Sequence, residues 1–310
     1  MSASHRPRLS PILVISIGIL AVSTASIFIR FAQENAPSIV IAAMRLTIAA
    51  LVLAPITWVR NRHEFRSLTR RDFTFALVSG VFLAVHFATW ITSLEYTSVA
   101  SSVVIVTTVP LWVALLSPLV LREKIGRAVA VGLICSLVGG IIVALNEACT
   151  LHGIHLTCSG GGTVSQANGA LGNILALFGA FSAAGYLVIG RSLRSKLSLI
   201  PYIFVVYGIA ALVLLATMFS FGEALVGYPS VTYLWFLLLA LVPQLLGHSS
   251  FNWALGYLPA SFVSITLLGE PIGTIVLAYL LLNESPAPLE LIGAILILMG
   301  IYIASQNSQS

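Results

Sequence analysis

The sequence predicts an all-α polytopic membrane protein with ten transmembrane helices, arranged as two inverted five-helix repeats. Three observations lead there. Of 310 residues, 58% are hydrophobic and only 8% charged, whereas soluble domains carry about a quarter charged residues. The mean hydropathy is +1.03. Apolar blocks of the roughly 20 residues that a helix needs to cross hydrocarbon follow one another along the chain, and its two halves resemble each other.

Taken in order, the blocks cover residues 10–31, 37–59, 73–94, 98–121 and 126–145, then 169–192, 199–221, 231–253, 259–282 and 287–305. In the first, Ala21-Val22-Ser23-Thr24-Ala25-Ser26 has the small residues of a signal-peptidase site. Apolar sequence continues to Phe31, so an uncleaved helix is expected. The long connection 146–168 contains Ser159-Gly160-Gly161-Gly162, which excludes a helix interior. It separates a first repeat, residues 1–145, from a second, residues 169–310.

The net charge of +5 does not call for a nucleic-acid partner. All Lys and Arg residues except Arg30 and Arg45 fall on one side of a ten-span bundle, at the start of the chain and in the short loops after the second, fourth and sixth blocks. By the positive-inside rule that side is cytoplasmic, with both termini inside and the connection 146–168 outside. In that connection Cys149, His152, His155 and Cys158 stand three residues apart. A disulfide between Cys149 and Cys158 is preferred to a metal site, because uniform spacing does not match the paired ligands of structural zinc.

With the second half offset by 161 positions, the distance from Glu123 to Glu284, Pro110 aligns with Pro271, Gly132 with Gly293, Gly139 with Gly300 and Arg30 with Arg191. An odd number of spans per half makes the halves antiparallel. Inverted repeats are a transporter architecture, in which two similar bundles rock about a midplane site. The glycines of the fifth and tenth blocks would serve contacts within a monomer or between the subunits of a homodimer.

At about 1.5 Å of rise per residue, Glu270, Arg45 and His86 fall at one level near the middle of their spans. A charge there costs several kcal/mol unless it faces a partner or a wet cavity, so Glu270 is the centre of the candidate site. Arg45 would hold an anionic substrate group, and Glu270 an ammonium group or a coupled proton. Desolvation favours a neutral Glu270 and a nearby guanidinium a charged one, so their separation decides. The competing reading is a buried structural ion pair between the two.

Gln244, His248 and Asn252 recur every four residues on the eighth span, and Thr266, Glu270 and Thr274 on the ninth. Trp90, Trp112 and Tyr186 would add aromatic walls. Interhelical hydrogen bonding is the plainer reading of each polar residue. Pro110 and Pro271 are expected to kink their helices and bare backbone to the cavity. No nucleophile elbow, zinc-protease motif, phosphate loop or dinucleotide fingerprint is present, so neither an enzyme nor a cofactor is expected.

Ala43-Met44-Arg45-Leu46, the run Pro110-Leu111-Trp112-Val113-Ala114 leading to Leu121-Arg122-Glu123-Lys124, and Gly269-Glu270-Pro271 leading to Leu282-Asn283-Glu284 resemble the EamA branch of the drug/metabolite transporter superfamily. The resemblance runs from about Ile12 to Ala304. It implies a ten-helix inverted repeat in the bacterial inner membrane, the first four helices of each half surrounding a central cavity. Its paired prolines and following glutamates correspond to Pro110, Glu123, Pro271 and Glu284, and members mostly export amino acids, other metabolites or drugs. The expectation is a secondary exporter of small metabolites, amino acids foremost, working in the lipid bilayer by alternating access. A multidrug or nucleoside exporter is the alternative, and an intramembrane enzyme the remoter one.

Overall fold

The computed structural model describes residues 9–120, 127–145, 149–152, 155–158 and 164–306. Its first half contains α1 (Pro11–Ser23), α2 (Ala25–Gln33), α3 (Ser38–Ile56), α4 (Arg70–Tyr96), α5 (Val99–Val106), α6 (Val109–Val120) and α7 (Arg127–Leu145). A hairpin of β1 (Cys149–His152) and β2 (His155–Cys158) follows. The second half contains α8 (Val164–Arg194), α9 (Leu199–Ser220), α10 (Ser230–Leu239), a π-helical segment (Ala240–His248), α11 (Ser249–Ala254), α12 (Ala260–Thr266), α13 (Gly269–Leu282) and α14 (Pro288–Gln306). Among the described residues, eight helical stretches are long and apolar enough to cross a membrane, with α1–α2, α5–α6, α10–α11 and α12–α13 each forming one interrupted stretch.

Local chemistry sets several ends. Thr69 and Asp72 form a reciprocal capping box on α4, satisfying two otherwise orphaned amides. Asn283 takes the left-handed cap of α13 at φ 56°, a conformation that Asn tolerates. The hairpin departs from the all-α expectation, and its antiparallel register sets Cys149 opposite Cys158. The side chains that would form the expected disulfide lie outside the described residues, as does Glu123.

Pro110 and Pro271 do more than kink their helices. α5 stops at Val106 and α12 at Thr266, and each span restarts after a two-residue turn as α6 and α13. A proline ring collides with the carbonyl four residues earlier, which is Val106 for Pro110 and Leu267 for Pro271. Restarting the helix puts each proline in a first turn, where the missing N–H costs nothing.

Glycines let helices touch. Cβ atoms added at Gly172 and Gly179 of α8 would stand 2.9 Å from Thr97 and 3.2 Å from Trp90, so α8 lies close along α4. One at Gly139 of α7 would stand 2.7 Å from the Gly293 carbonyl of α14. That glycine serves a contact within the chain. Outward faces remain apolar: Leu51, Leu119, Leu212 and Leu280 are all exposed, as lipid contact demands.

Candidate functional site

α4 meets α8 and the π-helical segment at a buried polar cluster. His86 Nδ1 lies 2.9 Å from the Gly179 carbonyl, a contact that the bare α8 backbone permits. The His86 ring stacks on Trp90 at 5.7 Å and faces His248 at 6.3 Å. These residues, with Tyr186, Asn252, Glu270 and Thr107, line a cavity of about 40 Å³. At the 10–15 Å³ that a water requires, this holds about three waters. It is far below the roughly 300 Å³ of a small ligand pocket.

Glu270 sits in the first turn of α13, where the helix dipole favours a carboxylate. Its backbone carbonyl accepts from Ser23 Oγ at 3.3 Å, and Thr274 Oγ1 donates to the Ser23 carbonyl at 3.1 Å. The break in the first span between α1 and α2 is thereby pinned beside the break between α12 and α13. The Glu270 carboxylate itself makes no ion pair and no hydrogen bond among the described residues.

Arg45 is fully buried, donates from Nε to Gln244 Oε1 at 2.8 Å and lies 4.2 Å over the Phe87 ring. Its Nη1 and Nη2 have no hydrogen-bond partner among the described residues. Arg45 and Glu270 make no contact-distance ion pair among the described residues. Nor does Arg45 line the cavity. The Phe87 ring under the guanidinium packs edge to face on His248 at 5.3 Å, and His248 in turn lines the cavity.

The sequence-predicted residues therefore divide. His86, Trp90, Tyr186, His248, Asn252 and Glu270 share the cavity. Gln244 is turned to Arg45 instead of sharing one face with His248 and Asn252. The backbone from Ala240 to His248 is π-helical, so the α-helical register assumed for these three residues does not hold there. Trp112 packs edge to face on Phe181 at 5.5 Å, and the Thr266 hydroxyl donates within its own helix to Val263 at 2.7 Å. Neither reaches the cavity. Asn252 bridges two phenols, accepting from Tyr186 at 2.6 Å and donating to Tyr207 at 3.1 Å.

Thr107 was missed as a wall residue because only the helix break presents it to the cavity. Also missed was a polar network at the far end of α4. There Arg30 pairs with Glu284 at 3.3 Å, Glu284 accepts from the Val99 amide at 3.0 Å, and Glu290 accepts from Ser98 and Ser101, each at 2.6 Å. The proline-to-glutamate spacing pointed to Glu284, but nothing pointed to Glu290.

A many-span helical bundle with an enclosed polar cluster at the level of its helix breaks has the features of a membrane carrier. The EamA-like transporter family model matches residues 9–145 and again 170–306, and the chain belongs to that family. Relatives include the uncharacterized transporter YdfC of Bacillus subtilis, 24% identical over 64% of this chain and 59% of that protein. The aligned stretch thus spans about three fifths of that relative's length. An uncharacterized transporter of Synechocystis is 27% identical over 78% of this chain and 68% of that protein. One from Archaeoglobus fulgidus is 25% identical over 89% of this chain and 91% of that protein. A crystal structure matches with a TM-score of 0.68 at 17% identity, covering 98% of this chain and 99% of that one, which establishes likeness of fold.

Proposed function

We propose that this protein is a secondary transporter that exports small amine-bearing metabolites, amino acids foremost, by alternating access through the Glu270 cavity. The observation that carries the reading is the unpaired state of two opposite charges in one buried cluster: the Glu270 carboxylate, and the Nη1 and Nη2 donors of Arg45. An α-amino acid answers both, its ammonium at Glu270 and its carboxylate at Arg45 once Phe87 and His248 move aside. Glu270 is also the residue assigned to proton coupling. A multidrug reading keeps one specific support, that the cavity as it stands offers a carboxylate among aromatic rings without Arg45.

Ten spans in two inverted five-helix repeats, 1–145 and 169–310 around the connection 146–168, complete the proposal. Three features support it: the double match to one family model, helix breaks at corresponding prolines, and a matched pair of arginines. Arg30 donates to the Thr97 carbonyl at the end of α4 and Arg191 to the Leu255 carbonyl at the end of α11. The basic loops support the proposal that both termini are cytoplasmic, and the family resemblance supports a bacterial inner membrane. The Cys149–Cys158 register supports an external disulfide.

Flux of labelled amino acids in proteoliposomes, with and without a pH gradient, tests the reading. Saturable, gradient-dependent flux is expected. In Glu270→Gln the gradient dependence is expected to vanish, and its persistence there would remove the coupling role. Arg45→Gln should weaken amino-acid competition about tenfold or more, the loss expected for a charged hydrogen bond. Competition by amines without a carboxylate should be untouched. Equal losses for both would reject the carboxylate role.

A further inference from the structure

We infer that the apolar groove between α5, α13 and α14 receives the hydrophobic part of the substrate whose ammonium group sits at Glu270. This rests on the carrier reading above and assigns the portion of the substrate that reading leaves open. The groove has a volume of about 240 Å³ and is lined by Val104, Ile275, Ala294 and Leu298, with Ile272 and Ile295 at its lipid-facing mouth. An apolar cavity of about 150 Å³ already accommodates benzene. Thr107 is the polar residue of its lining, and the Thr107 hydroxyl donates back to the carbonyls of Val103 and Val104 at 2.8 and 3.0 Å.

Two observations join the groove to the site. Thr107 lines both the groove and the central cavity, while the consecutive residues Glu270 and Pro271 line one each. The partition between them is also where both spans are interrupted, at Thr107-Thr108 and at Leu267-Leu268. It consists of helix ends, which can separate without breaking a continuous ladder of backbone hydrogen bonds. A ligand with a cation at one end and an apolar chain at the other matches a buried, unpaired carboxylate opening past Thr107 onto an apolar groove. A bilayer acyl chain would match the groove alone and leave Glu270 unanswered.

The test is binding of n-alkylammonium ions, methyl to hexyl, to purified protein in nanodiscs, comparing wild type with Ile272→Trp and Ile295→Trp. Both side chains are more than half exposed, at 60% and 57%, so each tryptophan fills the groove from the lipid side without entering the core. In wild type, affinity is expected to rise about fourfold per methylene, the gain from burying one CH₂. In both variants the rise should level off beyond about three carbons while methylammonium binding stays unchanged. The same chain-length dependence in all three proteins would overturn the groove assignment and leave the carrier reading standing, with the groove belonging to lipid. Failure of folded wild-type protein to bind any member of the series would overturn both.

Discussion

At the scale of single residues, the cavity is a set of groups in unequal states of satisfaction. Asn252 uses both ends of its amide on Tyr186 and Tyr207, so it holds the wall more than it offers itself to a ligand. Replacing it with Leu removes the acceptor of the Tyr186 hydroxyl and one partner of Tyr207, which keeps its 3.4 Å contact with Ser249, at about 1–3 kcal/mol for a buried polar group left unmet. The detergent-solubilised protein should melt several degrees lower, and an unchanged melting temperature would show that water substitutes for the amide. Glu270 and His86 were legible because depth in a span follows from residue count alone. The seclusion of Arg45 was not, since it depends on where Phe87 and His248 rotate, and those rotations are set by tertiary packing.

At the scale of helices, the contact of α1 with α13 decides how the Glu270 turn is held. A Cβ added at Gly273 would meet Ser23, its Cβ at 2.8 Å, and one added at Gly269 would lie 2.9 Å from Ile19. Gly273→Val should therefore force the two interrupted spans apart, at a cost of about 1–3 kcal/mol for overpacking, and lower transport along with stability. Gly140→Ala is the matched control, because nothing lies within 4 Å of its added Cβ. It should be neutral or slightly stabilising, as Ala is the better helix former. Equal melting temperatures in the two variants would reject the close-contact account. The prolines and glycines that shape these contacts were readable as punctuation. Their consequence was not, because the choice between a kinked and a broken helix depends on what receives the restarted helix, here Ser23 of α1, whose carbonyl accepts from Thr274 of α13.

At the scale of the molecule, α4 joins two polar latches that tie the halves together at opposite ends of the bundle. At its start, Asp72 pairs with Lys196 at 2.6 Å, and nearby Glu64 accepts from the Ser198 amide at 2.8 Å and the Ser198 hydroxyl at 2.6 Å. Past its other end, roughly 40 Å away for a 27-residue helix, Arg30, Glu284 and Glu290 hold the start of α5. Between the two latches lies the central cavity of about 40 Å³. The alternating access proposed above would require each latch to open while the other holds, and weakening one should then shift the population toward opening on its own side. Glu284→Gln is expected to speed hydrogen exchange at the amides of Val99 to Ser101 several-fold and leave Ser198 and Asp72 as they are. Lys196→Ala, whose side chain is 51% exposed and whose pair adds under about 1 kcal/mol, should do the reverse at nearly unchanged stability. If either substitution raised exchange at both ends alike, the latches would be parts of one cooperative unfolding unit, and the reciprocal coupling that alternating access needs would have to reside in the helix breaks around Thr107 and Leu267.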